Sequence, residues 1–576
     1  MSPAATSAEG PAAGQPRLII DVSPPEYSRA WMRFAAWWAG LFAFSLITGI
    51  FAAQLLAAAG GVAALLAAAL RRLPPPRPHP AAAALALAAG VQTLSALLSD
   101  NPFDSLAHLV QYYFLPFVGL AATVWLVRDT RTLRAAMSSL LIAGALAGAY
   151  GLYQHIFGHE PLYGLPIRPI RESGGSLFYP KGLMDQSLTY SGMQMLILAF
   201  TLPAVWRARG KMLWYWPAWL LVMLSVLVSY QRSSWLGAAA GVALFFLSRD
   251  RRTARLGIGV GALLLVLVLT LSSSLRGRII YTFQLQGKSQ VERLYLWQAA
   301  WNMGLEHPLL GVGPGRWRAH VEAYLPERED WDSRAHAHND LAQLWATTGA
   351  LGTLTILLVV WLLQKQGRKE LTRWRTPSLP RDALLGGMVA IAAFAVAALF
   401  QCYLIDGEDA ITLGFALGLA LAGREALIHA DPTRHPPRRA TPLRGHIEET
   451  VIVLRSLAAM AGAVLRPAPR LETTRSPDLD PEGELYCPYE SGEPRWVPVC
   501  LHLHSSRWEG AFTAEEVVAH YAALGAAAVI LTDHNRITRA GHRAAFPPAY
   551  EHGWGPHHHH VPVSYTHLTL PTIYSV

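Results

Sequence analysis

Long apolar stretches without any charged residue dominate this sequence and limit the folds open to it. Residues 34–70 include no Asp, Glu, Lys or Arg, and similar runs recur further along the chain. A helix needs about 20 apolar residues to cross a bilayer, because every backbone group must be hydrogen-bonded within the segment. Only 15% of the residues are charged and 52% are hydrophobic, so most of the chain is predicted to lie in lipid.

The apolar runs predict an all-α polytopic membrane protein with about twelve transmembrane helices. The run from Phe34 to Leu70 is too long for one span, so we expect two helices that turn near Thr48 to Gln54. Arg424 and Glu425 shorten the last span. The other predicted spans are Ala81–Leu98, His108–Val127, Ala135–Phe157, Ser187–Trp206, Met212–Tyr230, Ser233–Ser248, Leu256–Leu275, Leu341–Leu363, Ala383–Leu404 and Ala410–Leu427.

Lys and Arg are concentrated in every second connection between these spans. Short cytoplasmic loops carry such an excess, so the alternation predicts that both termini are cytoplasmic. Because the charges lie in loops, the net charge of +9 does not indicate a nucleic-acid partner. The cations are Arg71, Arg72 and Arg77; Arg128, Arg131 and Arg134; Arg207, Arg209 and Lys211; Arg249, Arg251, Arg252 and Arg255; and Lys365, Arg368, Lys369, Arg373, Arg375 and Arg381.

Three outward connections also contain Lys or Arg, although this excess is expected only in the cytoplasmic loops. They are the segment from Gly158 to Gln186, the short turn at Arg232, and a long outer loop at about residues 272–340. Positive charge that is kept outside predicts an anionic ligand at the outer face.

Two arginines in these connections are candidate ligand-binding residues. Arg232 lies where two spans join, although it could instead be an arginine that extends to lipid headgroups. Arg293 lies in a segment with the spacing of an amphipathic helix at the outer leaflet. The alternative for Arg293 is a salt bridge to Glu292 or another neighbour.

His338, just before the tenth predicted span, is the candidate general base. A neutral imidazole can accept a proton from a hydroxyl near neutral pH, and Asn339 or Asp340 could fix its tautomer. The alternative is a metal site with His336, which has no third ligand at diagnostic spacing. The Asp330-Trp-Asp332 triplet has the form used by metal-dependent sugar transferases, but chance readily produces it in so charged a loop.

His338-Asn339 followed by Gly349-Ala-Leu-Gly352 resembles the signature of the bacterial O-antigen ligase and O-antigen polymerase superfamily. The Arg232 turn, Glu292-Arg293 and the Gly-rich segment 307–313 precede it in the order that this family shows. The resemblance covers about residues 34–427. It departs from the family at Gln231, where Ser commonly precedes the arginine.

The resemblance implies transfer of a glycan from a polyprenyl diphosphate carrier to an acceptor hydroxyl. The reaction would occur at the outer face of the bacterial cytoplasmic (inner) membrane, invert the anomeric centre and need no cofactor. Lipid A core, a growing polysaccharide and a protein all remain open as acceptors, as does the choice between ligase and polymerase. The implied catalytic residues are His338, Arg232 and Arg293. The candidate substrate-binding residues are Asn339, beside His338, and the outward cations Arg168, Arg171 and Lys181.

The C-terminal part has a different pattern. A strand at 497–504, a helix at 513–524 and a strand at 526–531 resemble the opening of a PHP (polymerase and histidinol phosphatase) domain, a metal-dependent phosphoesterase barrel. The resemblance implies metal ligands at His502, His504 and His534, with Glu509 where the family often has Asp. A divalent metal is expected for an intact domain, and inactivity for this incomplete fragment.

Two functions of other classes remain as alternatives. An anionic-lipid transporter could use outward arginines, but the sequence shows no internal repeat and no pair of broken helices. A membrane anchor for the phosphoesterase has no use for a large outer loop. The predicted domains are a disordered tail at 1–33, the membrane domain at 34–427, a Pro/Arg-rich linker at 428–495, the PHP-like fragment at 496–562, and residues 563–576, which resemble a translated sequencing adapter.

Overall fold

The computed structural model describes most of residues 29–430 and four short strands of the C-terminal part. The described ranges are 29–70, 76–77, 79–162, 164–170, 176–255, 288–326, 334–430, 499–503, 528–534, 549–552 and 559–562, with single positions between 257 and 277 and at 519 and 523. The chain divides into two compact units, Met1–Ala468 and Pro469–Val576.

Among its described residues, the regular secondary-structure elements of the first unit are helices. Its helices are α1 (Arg29–Ser45), α2 (Ile50–Ala69), α3 (Pro80–Leu97), α4 (Pro102–Leu109), α5 (Leu115–Leu126), α6 (Thr130–Phe157), α7 (Ser187–Arg207), α8 (Tyr215–Val228), α9 (Arg232–Leu247), α10 (Lys288–Glu306), α11 (Trp317–His320), α12 (Asp340–Arg373), α13 (Leu379–Ala397) and α14 (Gly407–Ala430).

Within the described ranges, 9 segments are long and apolar enough to cross a membrane. One of them, Pro102–Leu126, consists of α4 and α5 joined by a π-helical turn, Val110–Phe114. Helices α1 and α9 lie at predicted spans but have only 17 and 16 residues. The predicted span Leu256–Leu275 lies mostly outside the described residues, so the count of twelve stays a prediction.

The apolar run from Phe34 to Leu70 forms two helices, as predicted from its length. The turn between α1 and α2 lies at residues 46–49, slightly before the predicted position. Gly49 has a φ of 138°, which a side chain would disfavour.

Three helices form the centre of the bundle. The apolar windows of α7, α14 and α13 are 94%, 89% and 78% buried, whereas those of α2, α3 and α8 are at most 33% buried. Glycine lets the central backbones approach closely, since a Cβ at Gly386 of α13 would overlap the carbonyl oxygen of Phe200 in α7. The peripheral helices expose their apolar side chains, as a lipid-facing surface requires.

α14 continues past the two charged residues that were expected to shorten it. Arg424 Nη1 donates to Glu425 Oε1 at 2.8 Å, and Arg128 Nη1 lies 3.9 Å from the other carboxylate oxygen of Glu425. All three side chains are at most 7% exposed. Because each charge has a partner of opposite sign, the helix can bury them and extend to Ala430.

The second unit contains a four-stranded sheet with the order β1 (Val499–Leu503), β2 (Ala528–His534), β3 (Ala549–His552) and β4 (His559–Pro562). The β1–β2 and β2–β3 pairs are parallel, and the β3–β4 pair is antiparallel. Both predicted strands are present, but β2 continues through His534. Strands β3 and β4 are not predicted from the sequence, since neither has a clear apolar alternation.

Candidate functional site

The connection between α13 and α14, residues 398–406, is here called the α13–α14 loop, and the start of α12 holds it in place. The backbone N–H of Asp340 donates to the carbonyl oxygen of Ala398 at 2.8 Å. The buried Asp340 carboxylate accepts from the N–H groups of Tyr403 at 3.0 Å and Leu404 at 3.2 Å. These bonds anchor both halves of the loop beside residues 338–340.

His338 contacts this loop through its side chain. Its Nδ1 lies 2.8 Å from Oε1 of Gln401, which is 5% exposed. Its backbone N–H donates to Nδ1 of His336 at 3.2 Å, and the two rings are 4.2 Å apart. The sequence alone attributed the orientation of His338 to Asn339 or Asp340, whereas the structure places a residue from a distant loop in that position.

The surroundings of His338 favour its neutral form. Burial, followed by the nearby Arg293 guanidinium, lowers the pKa of His338 to about 4, although the Gln401 hydrogen bond opposes this effect. Burial, His338, Arg293 and Arg318 lower the pKa of His336 to about 3. Both imidazoles are therefore uncharged at neutral pH, and His338 can accept a proton.

Arg293 reaches the α13–α14 loop from α10. Its Nη1 donates to the carbonyl oxygen of Phe400 at 3.0 Å, one residue before Gln401. The segment forms a helix, as predicted, but α10 buries Leu296 and Met303 and also exposes the apolar Trp301, so its amphipathic character stays a prediction. Because Phe400 and Gln401 are consecutive, Arg293 and His338 contact the loop at points about 4 Å apart along the backbone.

Arg232 is the first residue of α9 and is half-buried. The two serines that follow it, Ser233 and Ser234, lie 2.9 and 3.0 Å from the hydroxyl of Tyr403. The structure thus brings the start of α9 to the same loop that Arg293 and His338 contact, and three predicted catalytic residues share one neighbourhood.

Backbone strain marks the same place. Tyr230, two residues before Arg232, has a φ of 56°, and His338 has a φ of 51°. Among the described residues, these are the non-glycine residues with positive φ. Such conformations cost about 1–3 kcal/mol and persist where the surroundings enforce them, which is common at functional sites.

The connection between α6 and α7 contains the three cations predicted to bind substrate. The Arg168 guanidinium lies 5.9 Å from the Tyr179 ring, which is 6.2 Å from the Tyr230 ring, so Arg168 lies on the Arg232 side of the site. The Nζ of Lys181 lies 3.7 Å from a carboxylate oxygen of Glu160. Arg171 lies outside the described residues.

Asn339 caps a helix. Its Oδ1 accepts from the N–H groups of Leu341 at 2.9 Å and Ala342 at 3.1 Å, and so forms the N-cap of α12. These two bonds fix the backbone direction just after His338. The capping role is a structural reason for an asparagine at this position.

The glycines of two sequence motifs meet at a break in α12. Gly349 has φ 61° and ψ −164°, which interrupts the helix. The freed N–H groups of Ala350 and Leu351 donate to the carbonyl oxygens of Pro308 and Leu309 at 2.8 and 3.2 Å. In return, Val312 N–H and Gly313 N–H donate to the carbonyl oxygens of Ala346 and Thr347 at 3.0 and 2.8 Å.

These four bonds join the Gly-rich segment to the helix that begins beside His338. A Cβ at Gly311 would overlap the backbone of Thr347, and one at Gly349 would overlap that of Leu309. Residues 307–315 form turns, and the pairing explains why both segments need glycine.

Sequence reasoning missed Gln401, Tyr403 and Arg318. The α13–α14 loop contains no Lys or Arg that would mark it as a ligand-binding connection. The signal in its sequence is that Gln401 and Tyr403 are polar residues that directly follow a long apolar run. Arg318 is one of several cations in the outer loop, and no sequence spacing links it to His336.

The proposed metal-binding residues are placed only in part. Among the described residues, no group of three or more His, Cys, Asp or Glu side chains could hold a metal ion. Asp330, Asp332 and His504 lie outside them. His502 lies in β1 and His534 ends β2, near the carboxyl edge of a parallel pair.

Residues 216–357 match the family model described as O-Antigen ligase. The matched range includes Arg232, Arg293, His338 and the Gly349 break. No curated protein matches the chain. The match supports a place for the membrane part in the O-antigen ligase superfamily, and together with the apolar helices it points to a bacterial membrane protein that transfers glycosyl groups.

Proposed function

We propose that the membrane part transfers a glycan from a polyprenyl diphosphate carrier to an acceptor hydroxyl at the outer face of the cytoplasmic membrane. The observation that supports this most is the set of contacts on the α13–α14 loop, where Arg293, His338 and the start of α9 meet. The family match covers Arg293, His338 and the start of α9, and it ends before the loop.

The two arginines suit a diphosphate ligand. A guanidinium presents parallel N–H donors that match phosphate oxygens, and its charge does not depend on pH. Arg232 and Arg293 would bind the diphosphate and stabilise the negative charge that grows as the glycosidic bond breaks. Because the two arginines supply the positive charge that stabilises the diphosphate, we propose that no metal is obligatory.

The proposed reaction needs one base, which takes the proton that the acceptor hydroxyl loses. The acceptor oxygen attacks the anomeric carbon, the bond from that carbon to the diphosphate oxygen breaks, and the electron pair leaves with the diphosphate. Nε2 of His338 takes the acceptor proton. Attack from the face opposite the leaving group inverts the anomeric centre.

Two substitutions test these roles in reconstituted transfer from a polyprenyl diphosphate glycan. His338→Ala should lower the rate by about 10²–10⁴-fold, the usual contribution of a general base. Arg293→Lys keeps the charge but loses the paired donors, so activity should fall substantially. The matched control is Arg375→Lys in an exposed loop between α12 and α13, which should leave transfer unchanged. Near-normal transfer by His338→Ala would disprove the assigned role.

Ligase and polymerase activity differ only in the acceptor. Lipid A core, a polysaccharide end and a protein hydroxyl each present an oxygen to the same base. Purified protein given one donor and each acceptor in turn distinguishes these activities.

For the C-terminal unit, the parallel β1–β2 pair supports the PHP-like proposal. We propose that His502, His504 and His534 bind a divalent metal. Metal content of the purified chain, compared with a His502→Ala variant, tests this. Equal metal content in the two proteins would contradict the proposal.

A further inference from the structure

We propose that Gln401 is the positioning residue that holds His338 in the tautomer with its proton on Nδ1. This inference rests on the proposed function, since it concerns how the base is prepared for the acceptor. Gln401 Oε1 lies 2.8 Å from His338 Nδ1. A carbonyl oxygen can only accept, so Nδ1 must donate, and a neutral imidazole then carries its lone pair on Nε2.

The backbone on both sides of this hydrogen bond is fixed. On the His338 side, Asp340 lies two residues further along the chain, and its N–H donates to the carbonyl oxygen of Ala398 in the α13–α14 loop. On the Gln401 side, the N–H of Tyr403 donates to the Asp340 carboxylate at 3.0 Å. These bonds join the two backbone segments on either side of the pair, so they fix the backbone separation at which His338 and Gln401 face each other.

The amide also differs from the carboxylate that often orients a catalytic histidine. A carboxylate would stabilise the imidazolium and favour protonation of the base. It would also place a negative charge beside the proposed diphosphate site. A neutral amide selects the tautomer without adding a negative charge. Its hydrogen bond raises the pKa of His338, but burial and Arg293 outweigh that effect.

The imidazole can therefore remain a base after the donor binds. The negative charge of a diphosphate would raise the pKa of His338. Because that pKa starts at about 4, the imidazole can absorb an upward shift and still be neutral at pH 7.

The test uses the purified full chain and a polyprenyl diphosphate glycan with an acceptor that supports turnover. Gln401→Glu keeps an acceptor opposite Nδ1 and adds a negative charge. Its acid limb in the pH profile of kcat/KM should move upward by about 1–3 pH units. Gln401→Leu removes the acceptor, so kcat should fall at least about tenfold while KM for the donor stays unchanged.

Gln54→Glu is the matched control, because it makes the same change in α2 and should leave the acid limb in place. A Gln401→Glu profile that superimposes on that of the original protein overturns the inference, as does an unchanged kcat in Gln401→Leu. If Gln401→Leu does not accumulate, Gln401→Glu decides alone. Failure of the proposed function is distinguishable, because His338→Ala would then remain active or the original protein would transfer no glycan.

Discussion

At the scale of single residues, the neutral imidazole of His338 governs how activity should depend on pH. An unperturbed histidine has a pKa near 6.5, but burial and Arg293 lower that of His338 to about 4. The base is available above its own pKa and is lost as the pH falls through it.

The acid limb of kcat/KM, which reports the free enzyme, should therefore lie near pH 4. The acid limb of kcat should lie at higher pH, because the bound diphosphate raises the pKa of His338. Initial rates from pH 3.5 to 8 at several donor concentrations measure both. A kcat/KM limb near 6.5 would show that His338 is not held in this environment.

At the scale of secondary-structure elements, the break at Gly349 couples α12 to the segment 308–313. An alanine there would need a positive φ and would place its Cβ against the backbone of Leu309. We expect Gly349→Ala to cost about 1–3 kcal/mol in the free energy of unfolding and to lower transfer, because the start of α12 carries His338.

Gly90→Ala is the control for this substitution. Gly90 lies inside α3, and no atom lies within 4 Å of an added Cβ. Alanine favours helix by about 1 kcal/mol, so this variant should be as stable as the original or more so. Thermal unfolding in detergent compares the two, and equal stability of both variants would argue against strain at Gly349.

The sequence predicted the elements better than it predicted the site. Apolar runs identify spans because each helix satisfies its own backbone, so the information is local. Arg232, Arg293 and His338 could be singled out by charge, spacing and resemblance. Gln401 is marked in the sequence only as a polar residue after an apolar run. Its partner could not be predicted, because its contact with His338 joins residues 63 positions apart and depends on how α12, α13 and α14 pack.

At the scale of the whole molecule, the proposed orientation can be tested by labelling. The described parts of the α6–α7 connection and the loop between α12 and α13 lie in predicted outer and inner loops. Single cysteines at the exposed positions Leu162 and Thr376 would show on which side of the membrane each of these two segments lies. The native cysteines Cys402, Cys487 and Cys500 would first be changed to serine.

In intact cells, a membrane-impermeant maleimide should label Leu162→Cys but not Thr376→Cys. After the cells are opened, both should react. Labelling of Thr376→Cys in intact cells would place the loop between α12 and α13 outside and would reverse the orientation on which the proposed reaction depends.

The exchange of backbone hydrogen bonds at the Gly349 break also sets an order for biosynthesis. Residues 308–313 leave the ribosome before their partners at 346–351, so they wait without those hydrogen bonds until the start of α12 has been made. The α13–α14 loop follows later still, and His338 meets Gln401 only after α13 has been inserted. A nascent chain therefore cannot assemble this pocket before α13 has been inserted, and newly made protein gains its chemistry only late in its assembly.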